Sequence, residues 1–123
     1  MNATIHIVEP DSVVRSGLSA LCQAVTSDVR CFSSLRELLP GKNPDTLCCT
    51  IVGFDSGEMN GADIVHQVRS AQLPTPIILL DNSSNIGDAV QAIRVGAFDV
   101  MEKPFVTGLI PRVRQALSNS ANV

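Results

Sequence analysis

Short apolar runs alternate with amphipathic stretches along the whole chain. The first run, Thr4-Ile5-His6-Ile7-Val8, is rich in β-branched residues and predicts a strand that stops at Glu9-Pro10-Asp11. Asp11 or Ser12 can then cap a helix on which Val14, Leu18, Leu21 and Val25 recur at helical spacing. A short second strand is expected over 29–32. Ser34-Leu35-Arg36-Glu37 has the spacing of a capping box and opens a short helix through Leu39, before the breaker cluster Pro40-Gly41-Lys42-Asn43-Pro44. The third run, 47–54, is apolar almost end to end, as a strand buried on both faces should be.

A loop from Asp55 to Met59 leads into Asn60-Gly61 and a helix carrying Ile64, Val65 and Val68. Pro74-Thr75-Pro76 ends that connection, and 77–80 reads as a fourth strand. Asn82-Ser83-Ser84-Asn85 is a polar turn before a helix with Ala89, Ala92, Ile93 and Val95, which stops at Gly96. A fifth strand follows over 98–101. After Lys103-Pro104, the last helix packs Leu109, Ile110, Val113, Ala116 and Leu117, with Pro111 in its first turn. Strand and helix thus alternate five times, which demands an α/β fold, a doubly wound five-stranded parallel sheet with helices on both faces. One domain is expected over 1–117, with 118–123 a tail or the start of a linker. In such folds functional groups gather at the carboxyl ends of the strands.

Composition narrows the function. The 123 residues are 45% hydrophobic and only 17% charged, with a formal net charge of -3 and no Trp or Tyr. That balance gives no electrostatic pull toward nucleic acid and no base-stacking surface. Cys22, Cys31, Cys48 and Cys49 form no CxxC pair, and His6 and His66 lie far apart, so buried cysteine acting as a small hydrophobe is the expectation. Neither a signal peptide nor a membrane-length apolar run is visible, and a cytoplasmic location is expected.

Four segments carry a family resemblance: Ile5-His6-Ile7-Val8-Glu9, Met59-Asn60-Gly61, Val95-Gly96-Ala97-Phe98-Asp99 and Met101-Glu102-Lys103-Pro104-Phe105. In that order the chain resembles the receiver domains of bacterial two-component response regulators, over nearly its whole length. The Glu-Lys-Pro-Phe form looks most like receivers that precede a helix-turn-helix output domain. The resemblance implies a flavodoxin-like sheet of strand order 2-1-3-4-5. It also implies a pocket at the strand ends: an acidic pair for Mg²⁺, an aspartate nucleophile, a hydroxyl, a lysine and a switch aromatic.

Placed on this chain without gaps, the pocket is degenerate. The acidic pair falls on Glu9 and Pro10. The nucleophile falls on Gly53, eight residues before Gly61, and glycine has no side chain to phosphorylate. The hydroxyl falls on Asp81, which would repel a phosphoryl group, and the switch aromatic on Val100. Lys103 alone matches. With Glu9 the one remaining carboxylate, Mg²⁺ binding is expected to be weak or absent, and no other cofactor is expected. Phosphoryl transfer needs positioning and charge neutralisation, and both are missing. The expectation is therefore a pseudo-receiver that acts through protein contacts, as a homodimer or with a partner, and reaches DNA only through an output domain absent from this chain.

Two rivals remain open at this point. A register shift would make Asp55 the phosphoacceptor of a working receiver. A small ligand-binding protein or enzyme of flavodoxin-like fold is the other, although no Gly-rich phosphate loop and no nucleophile–base pair is present. Asn82-Ser83-Ser84-Asn85 could cradle an anion, with a plain helix-capping turn the simpler reading. Two pairings are also expected. Asp81 and Lys103, at the ends of neighbouring strands, would form a salt bridge, with capping of the following polar turn by Asp81 the equal alternative. Asp88, Asp99 and Glu102 would face Arg94, Arg112 and Arg114 across a two-fold axis, on the face that mediates dimerisation in the family.

Overall fold

The computed structural model describes residues 3–39, 47–55, 59–81, 86–102 and 108–121. Ten elements alternate: β1 (Ala3–Val8), α1 (Ser12–Cys22), β2 (Asp28–Phe32), α2 (Leu35–Leu38), β3 (Leu47–Phe54), α3 (Gly61–Ser70), β4 (Ile77–Asp81), α4 (Ile86–Arg94), β5 (Asp99–Glu102) and α5 (Leu109–Ala121). The strands form one sheet in the order β2-β1-β3-β4-β5, every neighbouring pair parallel. Parallel pairing forces each connection to cross a face of the sheet, so α1 and α5 cover one face and α2, α3 and α4 the other.

Strand alternation sorts the core. Ile5 and Ile7 of β1, Cys49 and Ile51 of β3, and Ile78 and Leu80 of β4 pack with Leu18 and Cys22 of α1 and with the inner stripe of α5. Val52, Ile77 and Leu79 point the other way, onto Ile64, Val65 and Val68 of α3 and Ala92 of α4. Cys22 and Cys49 are fully buried. Burial pushes the Cys22 thiol up to about 12, with Cys31 nearby adding to the effect, and raises Cys49 further. Both behave as small hydrophobes, as expected from the sequence.

Local chemistry explains the boundaries. Asp11, rather than Ser12, caps α1: its carboxylate accepts from the Val13 and Val14 amides at 2.9 and 3.2 Å. After α4, Gly96 sits at φ +121°, its N–H donating to Ile93 O (3.1 Å) while Ala97 N–H reaches Ala92 O (3.0 Å). This double bond is a Schellman ending, which needs the left-handed backbone that glycine adopts without steric cost. Where the connection before β4 meets β3, the buried Thr75 and Thr50 hydroxyls are 2.9 Å apart, so neither polar group is buried without a partner.

Several sequence expectations need correction. Leu21 is on the outer side of α1, 37% exposed, and the buried stripe runs through Leu18 and Cys22 instead. Ser34 starts α2, but its side chain caps no amide; Glu37 reaches back to the amide and hydroxyl of Ser33. β5 lies one residue later than expected. The last helix runs on through Ala121 rather than ending at Leu117, and the Ser120 hydroxyl meets the Cys48 amide at 3.4 Å. Ile93, expected in the core, is 49% exposed. The clusters at 40–44 and 82–85 and the segment 103–107 lie outside the described residues.

Candidate functional site

The register of the sheet gathers the strand ends along one edge. Val8 pairs with Val52, Gly53 with Leu80, Phe54 with Asp81, and Asp81 with Glu102. Glu9, Gly53 and Asp81 therefore belong to one edge, as the sequence placed them. Glu9 leaves β1 with its N–H donating to Phe32 O (3.0 Å) and is 3% exposed. Its carboxylate turns back to accept from the Asp11 amide at 3.3 Å, while the Arg15 guanidinium donates to the Glu9 carbonyl at 2.7 Å. Arg15 also reaches the Pro10 carbonyl, at 3.4 Å.

Gly53 is buried within β3, and Asp81 is 4% exposed at the end of β4. Asp55 lies just beyond β3 and is exposed. Val100 is half-buried and packs against the α3–α4 side of the core, where an aliphatic side chain has no ring to rotate. Lys103 falls outside the described residues, and with it the expected Asp81–Lys103 pair.

These donors do not fit a Mg²⁺ ion. Pro10 and Gly53 supply no carboxylate, and Glu9 already accepts a backbone amide. Among the described residues no three His, Cys, Asp or Glu side chains gather as a metal site. The same edge instead opens into a cleft of about 390 Å³. Its floor is apolar, made by Val8, Val52, Gly53 and Phe54, and Ser33, Ser34, Asp55 and Met59 stand around it.

The second surface of interest is that of α4, β5 and α5. Here the charged residues do not all look outward for a partner. Arg112 Nε pairs with Asp99 Oδ2 of the same chain at 3.0 Å, and the other Asp99 oxygen accepts from the Val100 amide at 2.8 Å. These two residues, expected to pair across a two-fold axis, are thus in contact within the protomer. Arg94, Glu102 and Arg114 are exposed, and Asp88 is half-buried. The sequence reading missed an apolar stripe: Ile86 (78% exposed), Val90 (45%) and Ile93 (49%) follow one another at i, i+4 and i+7 along α4. The signal was present, because α4 carries small Ala92 inward and its larger aliphatics outward, the reverse of a core-facing helix.

Comparison with known proteins agrees with this architecture. Residues 5–113 match the model of the response regulator receiver domain. The chain belongs to the response regulator receiver family. It is 34% identical over 116 residues to the response regulator protein TodT of Pseudomonas putida, covering 94% of this chain and 51% of that protein. Nodulation protein W of Bradyrhizobium diazoefficiens is 30% identical over 103 residues, 84% of this chain and 45% of its own length. The chain spans about half the length of the curated relatives it matches. Among solved structures, response regulator StyR superposes with a TM-score of 0.83 at 24% identity, over 99% of this chain and 62% of that one. The crystal structure of FixJ-N gives 0.76 at 22%, over 97% and 95%. These likenesses establish the fold.

Proposed function

We propose that this receiver domain signals without accepting phosphate, through protein–protein contact, as the regulatory part of a transcriptional regulator. The observation that carries the reading is Gly53, a residue without a nucleophile, on the strand edge where Glu9 and Asp81 also lie. Carboxylate attack on a phosphodonor needs a carboxylate at that point. Pro10 in place of the second acid, Asp81 in place of a hydroxyl and Val100 in place of an aromatic all weigh the same way.

Contact through the α4–β5–α5 face is the corresponding output. An apolar stripe on an exposed helix is what a self-complementary interface uses at its centre, with Arg94, Glu102 and Arg114 as its polar rim. DNA would be reached through an output domain of a longer regulator, in a cytoplasmic setting; one solved relative, FixJ, is named a transcriptional regulatory protein in Bradyrhizobium diazoefficiens. Among the described residues no helix is long and apolar enough to cross a membrane.

The second reading, phosphorylation of Asp55, draws on its exposure and its place at the rim of the same cleft. Intact-mass measurement after incubation with Mg²⁺ and acetyl phosphate separates the two, with an ordinary receiver as the positive control. The expected result is no phosphoryl adduct. An adduct that disappears in Asp55→Asn would establish Asp55 as the phosphoacceptor and overturn the first reading.

A further inference from the structure

Where the chain enters β5, away from the strand-end edge, the later half of α5 borders an open depression of about 500 Å³. Phe98, Arg114, Gln115, Ser118 and Asn119 line it. Phosphate-independent signalling leaves this feature without a role. Phe98 forms its apolar side. The ring is half-buried and packs against the α1–α5 core, and the Phe98 backbone N–H donates to Ile77 O at 2.7 Å. That side of the depression is therefore fixed by the fold before any ligand arrives.

The polar groups around it are donors that the fold does not use. Arg15, Arg30, Arg69 and Arg112 are each engaged at home, by the Glu9 carbonyl, Asp28, the Leu73 and Thr75 carbonyls, and Asp99. Arg114 is exposed and has no ion pair or hydrogen bond among the described residues. Gln115 Oε1 accepts from Arg112 Nη1 at 3.2 Å. A guanidinium only donates, so this contact leaves the Gln115 amide nitrogen with its N–H groups to offer. Ser118 and Asn119 add a hydroxyl and a second amide. Asp99, next to Phe98 in sequence, is taken up by Arg112 and the Val100 amide. No carboxylate lines the depression, and α5 itself carries Arg112 and Arg114 but no Asp or Glu. One free guanidinium, several neutral donors and an aromatic face complement a carboxylate on an apolar body; an ammonium would meet like charge.

We infer that this depression binds a small aromatic carboxylate, its ring against Phe98 and its carboxylate on the Arg114 fork, with Gln115 and Asn119 as further donors. The site is open and covers only part of a ligand, so the expected Kd is about 1 mM. The inference uses no residue of the strand-end edge and stands whether or not that edge accepts phosphate.

The test is a ¹H–¹⁵N titration of the chain with phenylacetate, acetate and phenethylamine. Phenylacetate should give saturable shifts at the amides of Phe98, Gln115, Ser118 and Asn119 and at the Arg114 Nε–H. Acetate, which lacks the ring, should bind more weakly, and phenethylamine should not saturate these signals. Arg114→Gln should weaken phenylacetate by about fivefold, the effect of one exposed charge pair, and Arg114→Lys should recover only part of the loss because it lacks the planar fork. Arg36→Gln makes the same change of charge at an exposed position of α2 and should leave binding unaltered. Arg114 also stands on the rim of the α4–β5–α5 face, so the titration is repeated in Ile93→Glu, where the same shifts are expected. No saturable shift, an equal response to acetate or phenethylamine, an equal loss in Arg36→Gln, or shifts that vanish in Ile93→Glu would overturn the site.

Discussion

Gly61, the first residue of α3, offers a substitution whose sign is decided by the packing. A Cβ added there would stand 3.0 Å from Leu79 Cδ1, 3.3 Å from Phe54 Cζ and 3.4 Å from Ala92 Cβ. Carbon atoms prefer about 3.5–4.0 Å, so the first two contacts are too close and the third is at the lower edge of ordinary contact. Leu79 is fully buried in β4 and Ala92 is 1% exposed, so any shift of either must be taken up by the core around it. Phe54 is half-buried and must give way. Over-filling of this kind costs about 1–3 kcal/mol. Against it stands the gain of alanine over glycine, about 0.4–1 kcal/mol, through lost freedom of the unfolded chain. The cost exceeds the gain, and Gly61→Ala is expected to be destabilised by about 1 kcal/mol, a fall of about 3–5 °C in Tm. Gly17 supplies the control. It lies inside α1 with nothing within 4 Å of an added Cβ, so Gly17→Ala should stabilise by about 0.5–1 kcal/mol. Thermal and urea unfolding of the two variants beside the parent measures both signs. A Gly61→Ala protein as stable as the parent, or more so, would refute the reasoning.

The remaining predictions concern charge and surface. His6 is buried against the Phe32 ring, 5.9 Å between centroids, and burial, with Arg30 nearby, lowers its pKa from 6.5. The folded state thus holds His6 neutral while the unfolded chain protonates it. Its contribution is full above about pH 6.5 and is lost as pH falls through that value toward the folded pKa. Urea unfolding between pH 5 and 8 should show this slope and His6→Leu should lack it; an identical slope in both would disprove the assignment. On α4, Ile93→Glu should weaken self-association at least about tenfold in sedimentation equilibrium, with a stability change within about 0.5 kcal/mol because the position is exposed. Unaltered association would move the contact away from the α4 stripe.

The fold was legible because its signals are local and repeated. Alternating apolar runs, Asp11 as a cap, Gly96 at a helix end and the uninterrupted apolar third strand each act within a few residues. What failed depended on the third dimension. Leu21 and Cys22 are adjacent, and only the angle at which α1 meets the sheet decides which is covered. Ile93 and Ala92 pose the same ambiguity on α4, where close approach to Gly61 admits the smaller residue. At the site, the residue types at Glu9, Pro10, Gly53 and Asp81 could be read directly, and strand register brought them to one edge. The cleft could not be foreseen, because it is a space bounded by residues from three separate strand ends and α2. Nor could the Asp99–Arg112 pair, which depends on where α5 crosses β5.

Phe54 lines the cleft on one side and, on the other, meets the Gly61 position, whose opposite neighbour is Ala92 on α4. A single methyl placed at 61 would touch Phe54, Leu79 and Ala92, so these parts lie side by side. A displacement of the Phe54 ring has α3 as its next neighbour and α4 as the one after, and the outer surface of α4 carries Val90 and Ile93. Among the described residues, the concave cleft and the convex α4 surface are thus neighbours of one packed row, Phe54, the Gly61 position and Ala92.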